Sequence, residues 1–281
     1  ATGLLGSTLL NVLRKKGYIV KTHARTSDAD FLVDLSDTKE TFKLLENIKP
    51  AIIINLTGQI SVELCQDKPN TAYLANTKTV ESLANWIEKS EVNCHLIQIS
   101  TDHLYDGKGP HTEEQVTLTN NYAFSKYAGE LAAIRVPSTV LRTNFIGRSK
   151  AAHRESLTDW VYASLSNNTT IQVLDDVFFS PLSMITLAKM ICLVVEEKPI
   201  GIFNLGSRRG MSKADFDFYF ADCLGLQTQT MSRIDYRQAT FLKAYRPKDM
   251  RLNCKKFEEH FKITLPHLID EIKLAAEDYY E

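Results

Sequence analysis

Tyr122 and Lys126 stand four residues apart in NNYAFSKYAGE (120–130), a segment that reads as helical. Four residues is about one helical turn, so phenol and ammonium share a face. An ammonium beside a phenol favours the phenolate, drawing its pKa toward working pH and letting it exchange a proton. The chain has 11 tyrosines, so a Y-x-x-x-K pair alone says little; about one is expected by chance. Position says more. One loop upstream lies ISTDHLYDG (99–107), where Ser100 and Thr101 close an apolar run and can present hydroxyls over the edge of a sheet.

A second group opens the chain, ATGLLGSTLL (1–10). Gly3 and Gly6 look like the last two glycines of G-x-x-G-x-x-G, and an apolar stripe of Leu5, Leu9, Leu10 and Leu13 follows them. Such a loop normally follows a buried strand, and none precedes it in the sequence given. Glycines there let a pyrophosphate approach the backbone, and the amides of Leu4 and Leu5 at the helix start would point toward it. The next segment, GYIVKTHAR (17–25), ends in His23 and Arg25 with no carboxylate before Asp28. A guanidinium suits a ribose 2′-phosphate, which favours NADP and leaves NAD open.

Alternating strands and helices must position these groups. Apolar stripes predict helices over 4–16, 38–48, 70–89, 122–135 and 184–197, and apolar runs predict strands over 17–25, 51–58, 95–100, 138–144 and 201–206. This is the pattern of an α/β, Rossmann-like, doubly wound parallel sheet with a smaller substrate-binding lobe. Residues 1–147, joined by about 180–206, are expected to form the cofactor domain, and 148–179 with 207–281 the lobe. Six arginines (Arg142, Arg154, Arg208, Arg209, Arg246, Arg251) are candidates to hold a diphosphate. Phe216, Phe218, Tyr219 and Phe220 fall at helical spacing, which suits a core better than a base-stacking platform.

Composition narrows the classes. A formal net charge of −1 gives no global attraction to nucleic acid or an anionic membrane. Five scattered cysteines without a C-x-x-C spacing suggest reduced thiols and a cytoplasmic protein, and the seven histidines show no metal-ligand spacing. No run approaches the roughly 20 apolar residues that span a bilayer.

Taken together, the motifs resemble an extended short-chain dehydrogenase/reductase and, within that superfamily, the dTDP-4-dehydrorhamnose reductase family. The resemblance runs nearly end to end, through ATGLLGS, INLTGQISVELCQDKPNTAYLAN (54–76), STDHLYDG, NNYAFSKYAGE, LRTNFIG (141–147) and RPKDMRLNCKKFEEHFKITLP (246–266). It implies reduction by NADPH of the ketone of a 4-keto-6-deoxy sugar carried on a nucleoside diphosphate. Tyr122 would protonate the alkoxide, Thr101 would bond the carbonyl oxygen, and Lys126 would tune Tyr122 and hold the nicotinamide ribose. The resemblance further implies cofactor contacts from Leu56, Thr57, Gly58, Asn76 and Ser100, an adenine contact from Asp34, and substrate contacts from Asp102, His103, Asn144 and Arg246. A homodimer is allowed for. Departures gather on the substrate side: Thr57-Gly58-Gln59 stands for A-A-Y, His103 for a tyrosine, Leu118 for the proline of P-x-N-x-Y, and Phe179 for a glycine. Two alternatives stay open: another nucleotide-sugar epimerase, dehydratase or reductase, and a non-catalytic NADP-binding regulatory subunit resembling the methionine adenosyltransferase β subunit.

Overall fold

The computed structural model of the protein describes residues 2–25, 28–151 and 154–280. Helix α1 (Leu4–Lys15) ends at Gly17, whose φ of +86° suits a residue without Cβ. Strand β1 (His23–Ala24) pairs in parallel with β2 (Phe31–Leu32) and with no strand of the main sheet. The strand expected over 17–25 is therefore cut to two residues, because a strand persists only where a neighbour accepts its ladder; Ile19 lies 94% exposed. Helix α2 (Thr38–Ile48) is capped by Asp37, which accepts from the amides of Lys39 and Glu40. After β3 (Ile52–Asn55) come α3 (Val62–Asp67), α4 (Pro69–Tyr73), a π turn over Leu74–Lys78 and α5 (Thr79–Lys89). The single helix expected over 70–89 thus contains one turn of wider pitch.

Strand β4 (His95–Thr101) is buried at all seven positions, as a strand covered on both faces must be. It leads through a loop to α6 (Asn121–Ala133), β5 (Ser138–Thr143), β6 (Phe145–Ile146), α7 (Leu157–Ser166), β7 (Ile171–Leu174), β8 (Phe178–Phe179) and β9 (Leu182–Ser183). Next come α8 (Met184–Glu197), β10 (Gly201–Leu205), β11 (Met211–Ser212), α9 (Lys213–Cys223), β12 (Met231–Ile234), α10 (Lys255–Phe261) and α11 (Leu268–Glu277). The main sheet is parallel in the order β10-β5-β4-β3.

Apolar residues cover both faces of that sheet. Leu5, Leu9 and Leu13 of α1, Leu187 and Ile191 of α8, and Phe257 and Phe261 of α10 pack on one side with Ile97, Ile99 and Leu141. Leu83 and Trp86 of α5 and Ala133 of α6 pack on the other with Leu96 and Val140, the alternation a pleated strand requires. A further core joins α7, β7, α9, β12 and α11 through Val161, Ile171, Phe216, Phe220, Met231 and Ile272. Phe216 and Phe220 are thus core residues. Within 207–281, the stretch from Leu252 to Leu265 packs with the sheet rather than with this last core. Among the described residues, no helix is long and apolar enough to cross a membrane.

Candidate active site

The C-terminal end of β4 delivers Ser100 and Thr101 to the sheet edge, and a 3₁₀ turn over Asp102–Leu104 follows. Thr101 Oγ1 accepts from the His103 amide at 3.2 Å and donates to Asp102 Oδ1 at 3.3 Å. Opposite, Asn120 caps α6 by accepting from the Ala123 amide at 2.8 Å, while its Nδ2 donates to the Tyr245 carbonyl at 3.0 Å. With the helix start fixed, Tyr122 and Lys126 both lie buried one turn apart. The Thr101 hydroxyl lies near enough to the Tyr122 phenol to favour its ionised form in part. Val62, Cys65, Ala72 and Ala244 surround the Tyr122 ring, and His103 meets it edge-on at 5.3 Å between centroids.

The electrostatics differ from those the spacing suggests. Burial pushes the Tyr122 phenol above its ordinary value, and the Asp102 carboxylate adds to that rise. Lys126 does not reverse it: its Nζ donates to the Ile99 carbonyl at 2.7 Å, and burial pulls its own pKa down to about 8. In this structure the phenol is held protonated.

Asn76 lies in the π turn, where the wider pitch turns its side chain toward the 57–59 loop and α6. Its Oδ1 accepts from the Gln59 amide at 2.8 Å, and its Nδ2 donates to the Gln59 carbonyl at 3.0 Å and to Ser125 Oγ at 2.9 Å. A Cβ on Gly58 would stand 2.9 Å from Asn76 Oδ1 and 3.8 Å from Lys126 Nζ, so the glycine lets loop, amide and ammonium converge. Thr57 folds back on Asn55 through both its amide and its hydroxyl. Leu56 and Leu4 both pack against the core beneath the sheet, which ties the start of α1 to the end of β3.

That start of α1 has the features of an anion site. Gly3 is its N-cap, no side chain caps it, and a Cβ on Gly3 would meet nothing within 4 Å. The amides of Leu4 and Leu5 are thus left for a ligand, while the Gly6 amide bonds the Gly3 carbonyl at 3.1 Å. Ser7 Oγ nearby is buried without a partner among the described residues. Arg25 is exposed, and its charge helps hold the Asp34 carboxyl low, although the Ser36 amide and hydroxyl do more. The two segments that carry them, β1 and β2, form their own small sheet.

On the opposite side of Tyr122, Asn144 Nδ2 donates to Asp102 Oδ2 at 2.7 Å. Burial lifts the Asp102 carboxyl to about 6 and drops the His103 imidazole to about 3, so His103 is neutral across the working range. Arg246 bonds Glu63 Oε1 at 2.7 Å and the Ala244 carbonyl at 3.0 Å, pinning α3 to the segment that covers Tyr122. Two residues join this group without having been expected, Lys213 and Asp217, one turn apart on α9. Both interact electrostatically, and Lys213 also reaches Asp102 and His103. A lysine at the first position of a helix, where the macrodipole opposes it, was the available signal.

Most of the candidate arginines do other work. Arg142 is 1% exposed and closed into a pair with Glu130, so it is unavailable to a phosphate. Arg208, Arg209 and Arg251 line a cavity of about 390 Å³ with Ser180, Ser207 and Lys255, away from Tyr122. Arg251 lies over the Phe178 ring and Lys213 over the Phe179 ring. Lys213, Asp102 and His103 do not line that cavity. Arg154 is exposed. Among the described residues, no three His, Cys, Asp or Glu side chains converge as metal ligands.

A family model described as the RmlD substrate binding domain matches residues 1–281. The chain is 24% identical to the probable low-salt glycan biosynthesis reductase of Haloferax volcanii, over 99% of this chain and 97% of that protein. It is 27% identical to the dTDP-4-dehydrorhamnose reductase of Shigella flexneri, over 94% and 91%. Among solved structures, the dTDP-4-dehydrorhamnose reductase of Bacillus anthracis in complex with NADP superposes with a TM-score of 0.88 at 19% identity, covering 98% of this chain and 95% of that one.

Proposed function

The chain belongs to the RmlD substrate binding domain family, that of the dTDP-4-dehydrorhamnose reductases, and from that premise we propose that it reduces the ketone of a nucleotide-activated 4-keto-6-deoxy sugar. The observation that carries this reading is the meeting of Thr101 and Tyr122 at the end of β4, with Lys126 one turn away on α6. NADPH, with NADH the open alternative, would be held by the uncapped start of α1 (Gly3, Leu4, Leu5, Gly6), by Arg25 and Asp34, and by the 56–58 loop. The open space over Gly3 and the unpartnered Ser7 hydroxyl fit such a ligand. When bound, it supplies the hydride.

The chain's own part is orientation and proton transfer. The Thr101 and Tyr122 hydroxyls hold the carbonyl oxygen, and Tyr122 gives that oxygen its proton. Reduction must begin with a protonated phenol, so the upward pKa shift at Tyr122 serves the proposed direction. Lys126 stabilises the phenolate left behind and holds the ribose. Asn76 acts through position, keeping the 57–59 loop and α6 together. The lobe of 148–179 and 207–281, docked to the sheet by the stretch from Leu252 to Leu265, would hold the nucleotide sugar over this pair. The cofactor and the free thiols suit the cytoplasm.

Absorbance of NADPH in the presence of dTDP-4-keto-6-deoxy sugars tests the reading. Tyr122→Phe should lower kcat about 100- to 10,000-fold while leaving the Kd for NADPH unchanged. Tight NADPH binding by the unmodified protein, with no oxidation across a panel of nucleotide sugars, would overturn it in favour of the regulatory alternative.

A further inference from the structure

We propose that Lys213 is a substrate-binding and specificity residue, its ammonium donating to a hydroxyl oxygen of the sugar beside the ketone. The assignment rests on the reductase reading for the identity of the sugar, but its evidence is local.

Lys213 is the first residue of α9, directly after the N-cap Ser212. A cation there opposes the helix macrodipole. It is also partly buried, and its Nζ makes no hydrogen bond or close ion pair with any described residue, feeling Asp102 and Asp217 only through space. It lies over the Phe179 ring, 5.7 Å from the centroid, within electrostatic reach of Asp102 and His103 and outside the lining of the arginine-bearing cavity. Around it lie buried polar atoms that have no partner among the described residues. His103 Nδ1 and Asp217 Oδ1 are both buried without a partner, and both feel the Lys213 charge. A buried polar group left unpaired costs about 1–3 kcal/mol. A scaffold has no reason to collect several at one place, whereas a polyhydroxylated ligand satisfies donors and acceptors together.

The test is a cycle across protein and substrate. The unmodified protein and Lys213→Met are each assayed with dTDP-4-keto-6-deoxyglucose and with its 3-deoxy analogue. The variant should raise KM for the parent sugar about 10- to 100-fold, with kcat within about threefold. For the 3-deoxy analogue the two proteins should match. The melting temperature should hold or rise, since a cation opposed by the helix macrodipole has been removed. Calorimetric Kd values for the same nucleotides, without NADPH, separate this claim from the reductase reading. Binding without turnover, still weakened in Lys213→Met, sinks the reaction but supports the lysine. Unchanged KM and Kd in the variant, or equal treatment of parent and deoxy sugar by the unmodified protein, overturns the proposal. Binding of neither nucleotide overturns both.

Discussion

Two of the places where the described residues bury charge are built in opposite ways. Behind α6, Arg142 meets Glu130 through Nε at 3.0 Å and Nη2 at 2.6 Å, while its Nη1 donates to the Tyr105 hydroxyl and the Glu113 carbonyl. Tyr105 passes the network on to Asn204 Oδ1 at 2.6 Å, and Asn204 Nδ2 donates to the His111 carbonyl at 2.9 Å. Both ends of the ion pair are 1% exposed, and every group in the chain of bonds is used. On α9, by contrast, Lys213 and Asp217 lie among Asp102 and His103 with donor and acceptor atoms left over. Low dielectric strengthens a completed network and penalises an incomplete one. The closed network is therefore scaffold. The open one is tolerated only where a ligand completes it.

The largest effect should come from breaking the closed network. Glu130→Gln leaves the Arg142 cation buried without its counter-charge and should cost about 3–5 kcal/mol in urea unfolding. Replacing both residues, as Arg142→Met with Glu130→Met, should cost less than the single change, because no charge is stranded. A loss under about 1 kcal/mol in Glu130→Gln would erase the distinction between the two regions.

Much of the scaffold was legible because its signals are local. The helices expected over 38–48 and 184–197 coincide with α2 and α8, whose caps and apolar stripes lie in adjacent residues. The run HLIQIS reads as a strand covered on both faces because every residue of β4 is buried. The shared face of Tyr122 and Lys126 follows from helical geometry alone. What spacing could not show was the balance of terms around them, since desolvation of Tyr122 depends on Val62, Ala72 and Ala244, far apart in sequence. The π turn at Asn76 shifts the helical phase by one residue, too little to disturb the apolar pattern of 70–89. Arg142 and Arg246 look alike in the sequence, yet only long-range partners make the first a buried strut and the second a clamp on Glu63. The strand read over 17–25 failed for the same reason: pairing needs a neighbour that local pattern does not supply.

A middle-sized effect is expected where the scaffold meets the site. Gly129, next to Glu130, faces the π turn so closely that a Cβ would lie 2.3 Å from the Asn76 carbonyl oxygen. Backbone cannot yield as a side-chain tip can, so Gly129→Ala must push α6 away from Asn76. Destabilisation of about 1–3 kcal/mol should accompany a weaker NADPH Kd, because the Asn76 amide would lose Ser125 and Gln59. Normal NADPH binding in a destabilised Gly129→Ala protein would show that the π turn serves packing alone.

The most gradual change probes the open network through pH. Burial raises the Asp217 carboxyl to about 8, with Lys213 opposing only in part. In the unfolded chain the same group titrates near 3.9, about the usual aspartate value. Between those two values the folded protein holds a proton that the unfolded chain has released, so this group makes stability fall as pH rises from about 4 to about 8. Asp217→Asn keeps the shape and removes the titration. Its stability relative to the unmodified protein should therefore climb across that window by at most about 1.4 kcal/mol per pH unit, then level off above pH 8. Thermal melts of both proteins at several pH values measure the difference directly. A difference that stays flat from pH 4 to 8, or shrinks, would mean that Asp217 is ionised in the folded protein and paired with Lys213, closing the network that Lys213 needs open.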